Sequence, residues 1–332
     1  MLSEKHEDIV MDWDVGERFA ISSDSASLEI THELRVAHSV KRIAKLVRAI
    51  ARTSSPLFVI ERRGGRHILR PLGRGSELIR ALGSGLNEIE ELLAGNEFNA
   101  YLQLLRDARD EFPKYELCLP RADAVPSHLA YVAADEMNAL VAWLRIQAKS
   151  EAFRKDLDNQ RRKCDDNTRS ATKFFDAWIA RHSRLLAIRL DLVPRAADAR
   201  EARRMLKSFM RHVRETFGYF LGSIVKFETG ALTGLHFHVV LLLNGHEHQS
   251  GVQIGKMLGE HWNGVLTEGR GRYFNCNTRT HSYRENALGM IERIDGLKRK
   301  AFVKWVIGYL AKTDFWIRIA GVRKTFTRSP MP

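Results

Sequence analysis

Cysteine is scarce. Cys118, Cys164 and Cys276 are the three in 332 residues, far apart and without CxxC or zinc-finger spacing, which excludes a disulfide framework and points to a reducing compartment. No run approaches the ~18 apolar residues that a bilayer-spanning helix needs. The start, MLSEKHEDIVMDWD, is acidic and lacks the basic segment and apolar stretch of a secretion signal. The expectation is a soluble, cytoplasmic protein that makes no use of a membrane. Internal repeats and low-complexity tracts are also lacking. With 44% hydrophobic and 28% charged residues the chain is neither a fibre nor a disordered tail, and its length suits two domains or one with a large extension.

Acidic side chains are deficient in one half only. Residues 1–150 carry 20 basic and 22 acidic groups, a balance of −2, whereas residues 151–332 carry 33 and 18, a balance of +15. Clustered Lys and Arg release counterions from phosphates, so nucleic acid is the leading partner and an anionic membrane surface the second.

Apolar spacing predicts an amphipathic helix over Ser25–Arg52. A small hairpin follows, Leu57–Glu61 and His67–Leu72, turning at Gly64-Gly65. Helices are expected around Glu77–Leu93 and Glu97–Asp110. Three prolines break regular structure in Phe112–Pro126, and 130–180 reads mostly as helix. The pattern then changes. Leu185–Val193 is strand-like, Ala196–Thr216 is a basic helix, and Tyr219–Glu228 with Leu235–Leu243 make two strands around a turn near Leu232. Gln253–Leu266 looks helical, Arg270–Asn277 and Ser282–Ile294 are short elements, and Lys298–Arg318 reads as one closing helix. The expected architecture is α+β: a mostly helical N-terminal region over 1–165, then a basic antiparallel-sheet domain over 166–332.

The stretch Gly234-Leu235-His236-Phe237-His238-Val239-Val240-Leu241 carries the strongest chemical signal. Alternation puts His236 and His238 on one strand face, about 7 Å apart at their backbones. Imidazoles in an apolar strand need a metal or hydrogen-bond partners, so two satisfied core histidines remain the bland alternative. Thirteen histidines make such a pair cheap, and the second copy, His246-Glu247-His248, is assigned no role. If the hairpin turns near Leu232, Glu228 falls opposite His236 and completes a two-imidazole, one-carboxylate set; otherwise it is an exposed strand end. That set suits Mn²⁺ or Mg²⁺ with phosphate oxygens, and equally Fe²⁺ or Zn²⁺.

In the closing helix, Tyr309 and Lys312 are neighbours on one face, where a cation stabilises a phenolate nucleophile; a packed core tyrosine is the alternative. Asp191, in Arg189-Leu190-Asp191, either supports the site or forms an edge-strand ion pair. Arg270-Gly271-Arg272-Tyr273-Phe274 interleaves basic and aromatic residues as single strands prefer, or is a solvated turn.

Glu228, then His236-x-His238, then a helical Tyr309-x-x-Lys312 resembles, in order and spacing, the HUH endonuclease superfamily of rolling-circle replication initiators. The stretches GLHFHVVLLLNG, RYFNCN, ALGMIERID and GYLAKTDFWIR resemble the inovirus gene-2-protein family, found also as prophage proteins of the YagK/YfjJ kind. The resemblance covers roughly residues 170–320. Trp305 stands four before Tyr309, so this chain is similar to the one-tyrosine class. The resemblance implies an RRM-like sandwich, a divalent metal (Mg²⁺ or Mn²⁺) at Glu228, His236 and His238, and Tyr309 as nucleophile assisted by Lys312. It implies nicking of single-stranded origin DNA in a bacterial host cell, leaving a 5′-phosphotyrosine and a 3′ hydroxyl for a host polymerase. No GxxxxGK[ST] loop is present, so a host helicase would unwind. An HUH transposase or relaxase, a non-enzymatic nucleic-acid-binding regulator and a two-His-one-carboxylate iron oxygenase are the competing expectations. The N-terminal half would read duplex, dimerise or recruit the helicase.

Overall fold

The computed structural model describes residues 24–119, 121–230, 233–282 and 285–332. The acidic start and the centre of the predicted turn, Ala231-Leu232, lie outside the described residues, as do Pro120 and residues 283–284. Contacts divide the described chain into one unit of Leu34–Ala94 and Phe98–Arg161 and a second dominated by Arg162–Pro332.

The helix α1 (Asp24–Ala51) enters the first unit at Leu34, and its Val40, Ile43, Val47 and Ile50 are buried at helical spacing. The hairpin β1 (Phe58–Arg63) and β2 (Arg66–Pro71) closes on Gly64 and Gly65, at φ 56° and 77°. Two consecutive left-handed residues are what a two-residue hairpin turn demands, and glycine adopts them without strain. The predicted Glu77–Leu93 helix is α2 (Gly75–Arg80) and α3 (Leu86–Leu92), joined by a widened π turn. The next predicted helix starts later than expected. Asn96–Phe98 is a short strand, β3, and Asn99 caps α4 (Ala100–Glu111) by accepting from the Tyr101 N–H at 3.0 Å. Short 3₁₀ turns carry the proline-rich stretch to α5 (Ala130–Gln147) and α6 (Glu151–Arg181), whose residues from Arg162 onward belong to the second unit.

The second unit is built on β4 (Arg184–Val193), α7 (Ala199–Thr216), β5 (Phe220–Gly230), β6 (Gly234–Asn244), α8 (Gly251–His261), β7 (Arg272–Asn275), β8 (Gly289–Glu292), α9 (Gly296–Ala301), α10 (Gly308–Lys312), β9 (Ile317–Ile319) and β10 (Phe326–Arg328). The sheet order is β10-β5-β6-β4-β7, with β8 also on β4, and all pairs are antiparallel. The chain is thus mixed α and β with antiparallel sheets. Pro194 and Arg195, at φ 52°, delay α7, which starts where Asp198 accepts from the N–H groups of Arg200 and Glu201.

The predicted continuous helix Lys298–Arg318 is corrected. It is α9, a π stretch over Phe302–Ile307, then α10 and one 3₁₀ turn, after which Ile317-Arg318-Ile319 extends as β9. Alternating β-branched residues favour that strand. β10, not foreseen, lies on the edge of β5.

Alternation divides the sheet chemically. On one face Leu186, Ile188, Leu190, Phe227, Phe237, Val239 and Leu241 bury against Phe209 and Val213 of α7, Leu258 of α8 and Trp262. The opposite face carries Arg189, Asp191, Lys226, Glu228, His236 and His238. No helix among the described residues is long and apolar enough to cross a membrane. The three cysteines are free and buried, and burial pushes the Cys118 thiol up to about 11 and Cys164 to about 12.

Candidate metal and tyrosine centre

The antiparallel register sets the polar face. Gly230 pairs with Gly234, so Glu228 falls opposite His236 and Lys226 opposite His238, while β4 brings Asp191 opposite His238 from the other side. One ligand atom from each of Glu228, His236 and His238 lies within 4.8 Å of the others. His238 Nε2 is 3.3 Å and His236 Nε2 3.7 Å from the same atom, Glu228 Oε2.

The rings' other nitrogens fix their tautomers. His238 Nδ1 donates to Asp191 Oδ1 at 2.5 Å, and His236 Nδ1 donates to the Gly234 carbonyl at 3.0 Å. Both partners only accept, so each Nδ1 carries a proton and each ring turns its Nε2 toward Glu228. Arg189 Nη2 also lies 3.3 Å from His238 Nδ1, but the shorter contact to the carboxylate decides the tautomer. Two lone pairs facing a carboxylate oxygen repel unless a proton or a metal cation sits among them. The mixed nitrogen and oxygen donor set fits a divalent ion such as Mn²⁺ or Mg²⁺, and the carboxylate behind His238 stands where an outer partner would orient a metal-binding imidazole.

Asp191 is not an edge-strand residue. It is buried on β4, between β6 and β7, and accepts from Arg189 Nε at 3.2 Å and Cys276 Sγ at 3.5 Å besides His238. Burial alone raises its carboxyl, but the Arg189 guanidinium and then His238 outweigh that and hold it at about 2, against an ordinary 3.8. A depressed carboxyl stabilises the fold above its unfolded value, and this contribution is lost as pH falls from about 4 through 2. Asp191→Asn is expected to weaken Mn²⁺ binding about 10- to 100-fold. Calorimetric titration checks this, and unchanged affinity contradicts the orienting role.

The sheet also meets Tyr309 of α10. Its ring centroid is 5.8 Å from that of His238, and the Arg189 guanidinium carbon stands 4.8 Å over the tyrosine ring. Arg189 therefore touches both the nucleophile candidate and the carboxylate that orients His238. The π stretch immediately before α10 adds a residue to the turn, and so shifts by about 100° the phase of everything after it. That offset decides which side chain meets the histidines.

Lys312 shares α10 with Tyr309, three residues on. Burial lowers the pKa of its ammonium, while Asp165 and Cys164 of α6 act in the opposite direction. The lysine at the centre of the sheet is Lys226, 1% exposed, whose ammonium donates to Asp314 in the turn after α10. Its signal is parity: Lys226, Glu228, His236 and His238 all occupy one strand face. Of the Arg270–Phe274 segment, Arg270 is an exposed bend residue and Arg272-Tyr273-Phe274 belong to β7. Tyr273 packs onto α8, where a Cβ on Gly259 would lie 2.0 Å from its ring, and Phe274 is opposite Asp191 on the polar face. No family model, no curated protein and no solved structure matches the chain significantly.

Proposed function

We propose that the second unit is an HUH-type endonuclease of RRM-like sandwich fold. It initiates rolling-circle replication by nicking single-stranded origin DNA. The observation that carries this is the convergence of two imidazole Nε2 atoms on Glu228 Oε2, beside a tyrosine ring held by Arg189. A bound Mg²⁺ or Mn²⁺ would polarise the scissile phosphodiester and neutralise charge on its oxygens.

The chain's own groups do the rest. Tyr309 supplies the nucleophilic oxygen: a bond forms between it and phosphorus, the bond to the 3′ oxygen breaks, and that oxygen leaves as a hydroxyl. The phosphodiester energy is kept in the phosphotyrosine link, so no nucleotide cofactor is required. Arg189 places positive charge on the ring face, where it favours the ionised form of the phenol oxygen that attacks. The charge balance of +15 over 151–332 supports a nucleic-acid substrate, which an iron oxygenase leaves unexplained. The role of the first unit, in reading duplex, dimerising or recruiting a host helicase, is part of the same proposal.

Incubating the protein and Tyr309→Phe with single-stranded DNA from its replicon, with Mn²⁺ or EDTA, tests this. A denaturing gel is expected to show a protein–DNA adduct only with both metal and Tyr309, and the variant to lose at least about a thousand-fold in rate. Binding unaffected by chelator and without any adduct would instead support a non-enzymatic regulator.

A further inference from the structure

The basic helix α7 lies on the far side of the sheet from the histidines and Tyr309, and the nicking chemistry does not use it. Its Ala202, Phe209, Met210 and Val213 are buried against the sheet. Its solvent face carries Arg200, Arg204, Lys207, Arg211 and Arg214, all exposed. At 100° per residue these five fall within a stripe about 80° wide and about 21 Å long. Among the described residues none of the five makes a side-chain ion pair; Arg214 only donates to the Met210 carbonyl, at 3.2 Å. Like charges three and four apart destabilise a helix by about 0.2–0.5 kcal/mol per pair. Here several such pairs are stacked with no compensating acid along the stripe's centre. The patch continues beyond the helix. Arg203 donates to the Lys324 carbonyl, which brings the exposed Arg323 and Lys324 beside the first turns of α7.

We infer that this stripe binds the phosphate backbone of duplex DNA. Its length spans about six phosphates of one strand, at about 3.4 Å of rise each. Within the stripe all the side chains are Lys or Arg, with no aromatic ring to stack on an unpaired base, so it suits a closed duplex rather than a single strand. Nor does it suit insertion into a membrane surface, because an interfacial helix buries its apolar face in lipid and that of α7 is already in the core. The duplex is thereby held on the face opposite the one that would cut. This goes beyond the nicking proposal and does not depend on it.

The test uses the full chain carrying Tyr309→Phe, in EDTA, so that neither metal nor cleavage contributes. Binding of a fluorescent 30-base-pair duplex is followed by anisotropy across a salt series. The variant Arg204→Gln/Lys207→Gln/Arg211→Gln is compared with a charge-matched control, Lys163→Gln/Arg169→Gln/Lys300→Gln, whose residues are exposed elsewhere on the unit. The stripe variant is expected to bind at least about ten-fold more weakly, with the slope of log K against log salt reduced by roughly 0.9 for each phosphate that is no longer neutralised. The control should follow the parent, and circular dichroism should be the same for all three. Equal losses in the two variants, an unchanged slope in the stripe variant, or loss of binding to phosphatidylserine vesicles with duplex binding intact would each overturn the inference. In the wild-type background, a failure of nicking with stripe-dependent duplex binding retained would sink only the enzymatic proposal.

Discussion

His238→Ala is expected to abolish metal-dependent cleavage and to weaken Mn²⁺ binding by more than about 100-fold, beyond the 10- to 100-fold usual for an outer partner. The side chain is 2% exposed and makes two contacts at once: Nδ1 to Asp191 and Nε2 to Glu228. Truncation removes a proposed ligand and also leaves the Asp191 carboxylate without its His238 donor. His246→Ala is the internal control. His246 belongs to the other His-x-His, is exposed, and bonds Ser183 Oγ at 2.6 Å. It should bind metal and cleave like the parent. Calorimetric Mn²⁺ titration of both variants, with cleavage rates alongside, checks the pair. Equal behaviour of the two contradicts the assignment of ligands to His236 and His238.

Lys226→Met carries the largest expected cost in stability. The ion pair with Asp314 is almost wholly removed from water, at 1% and 8% exposure, and Thr325 Oγ1 donates to the second Asp314 oxygen at 2.5 Å. Removing one partner strands a buried charge and costs about 3–5 kcal/mol, whereas replacing both by apolar residues of similar volume is often neutral. The double variant Lys226→Met/Asp314→Leu should therefore recover most of the loss, apart from the Thr325 bond. Urea unfolding followed by tryptophan fluorescence measures both. Because the chain has two units, the transition of the second unit has to be resolved from the first before a free energy is extracted. The same pair ties the turn after α10 to β5, so Lys226→Met should also lower the cleavage rate by displacing Tyr309. A single substitution that costs no more than an exposed lysine would contradict the buried-pair account.

The strands were legible because their chemistry alternates. The apolar residues of LLAIRLDLV and GLHFHVVLLL mark β4 and β6, and the placement of Glu228 opposite His236 follows from counting outward from residue 232. Counting fails where backbone geometry departs from the regular period. The π stretch at Phe302–Ile307 has no mark in composition, so the closing helix reads as uniform and counting from Lys298 gives the wrong phase for everything after Ile307. Asp191 carries a sequence signal, its parity with Arg189, but that parity alone does not tell an edge strand from an inner one. The neighbours β6 and β7 decide this, and they come from distant segments. Arg189 over Tyr309 and Lys226 with Asp314 are likewise pairings across more than 80 residues, which no local pattern encodes. The three-residue strands β9 and β10 are too short to leave a period.

The most direct test of the central claim is to digest the covalent product of wild-type protein, Mn²⁺ and single-stranded origin DNA with trypsin and nuclease, and to locate the nucleotide by mass spectrometry. The account predicts one modified peptide, with the phosphate on Tyr309. A nucleotide on any other residue, or cut DNA with no protein-bound phosphate under quenched conditions, would contradict it.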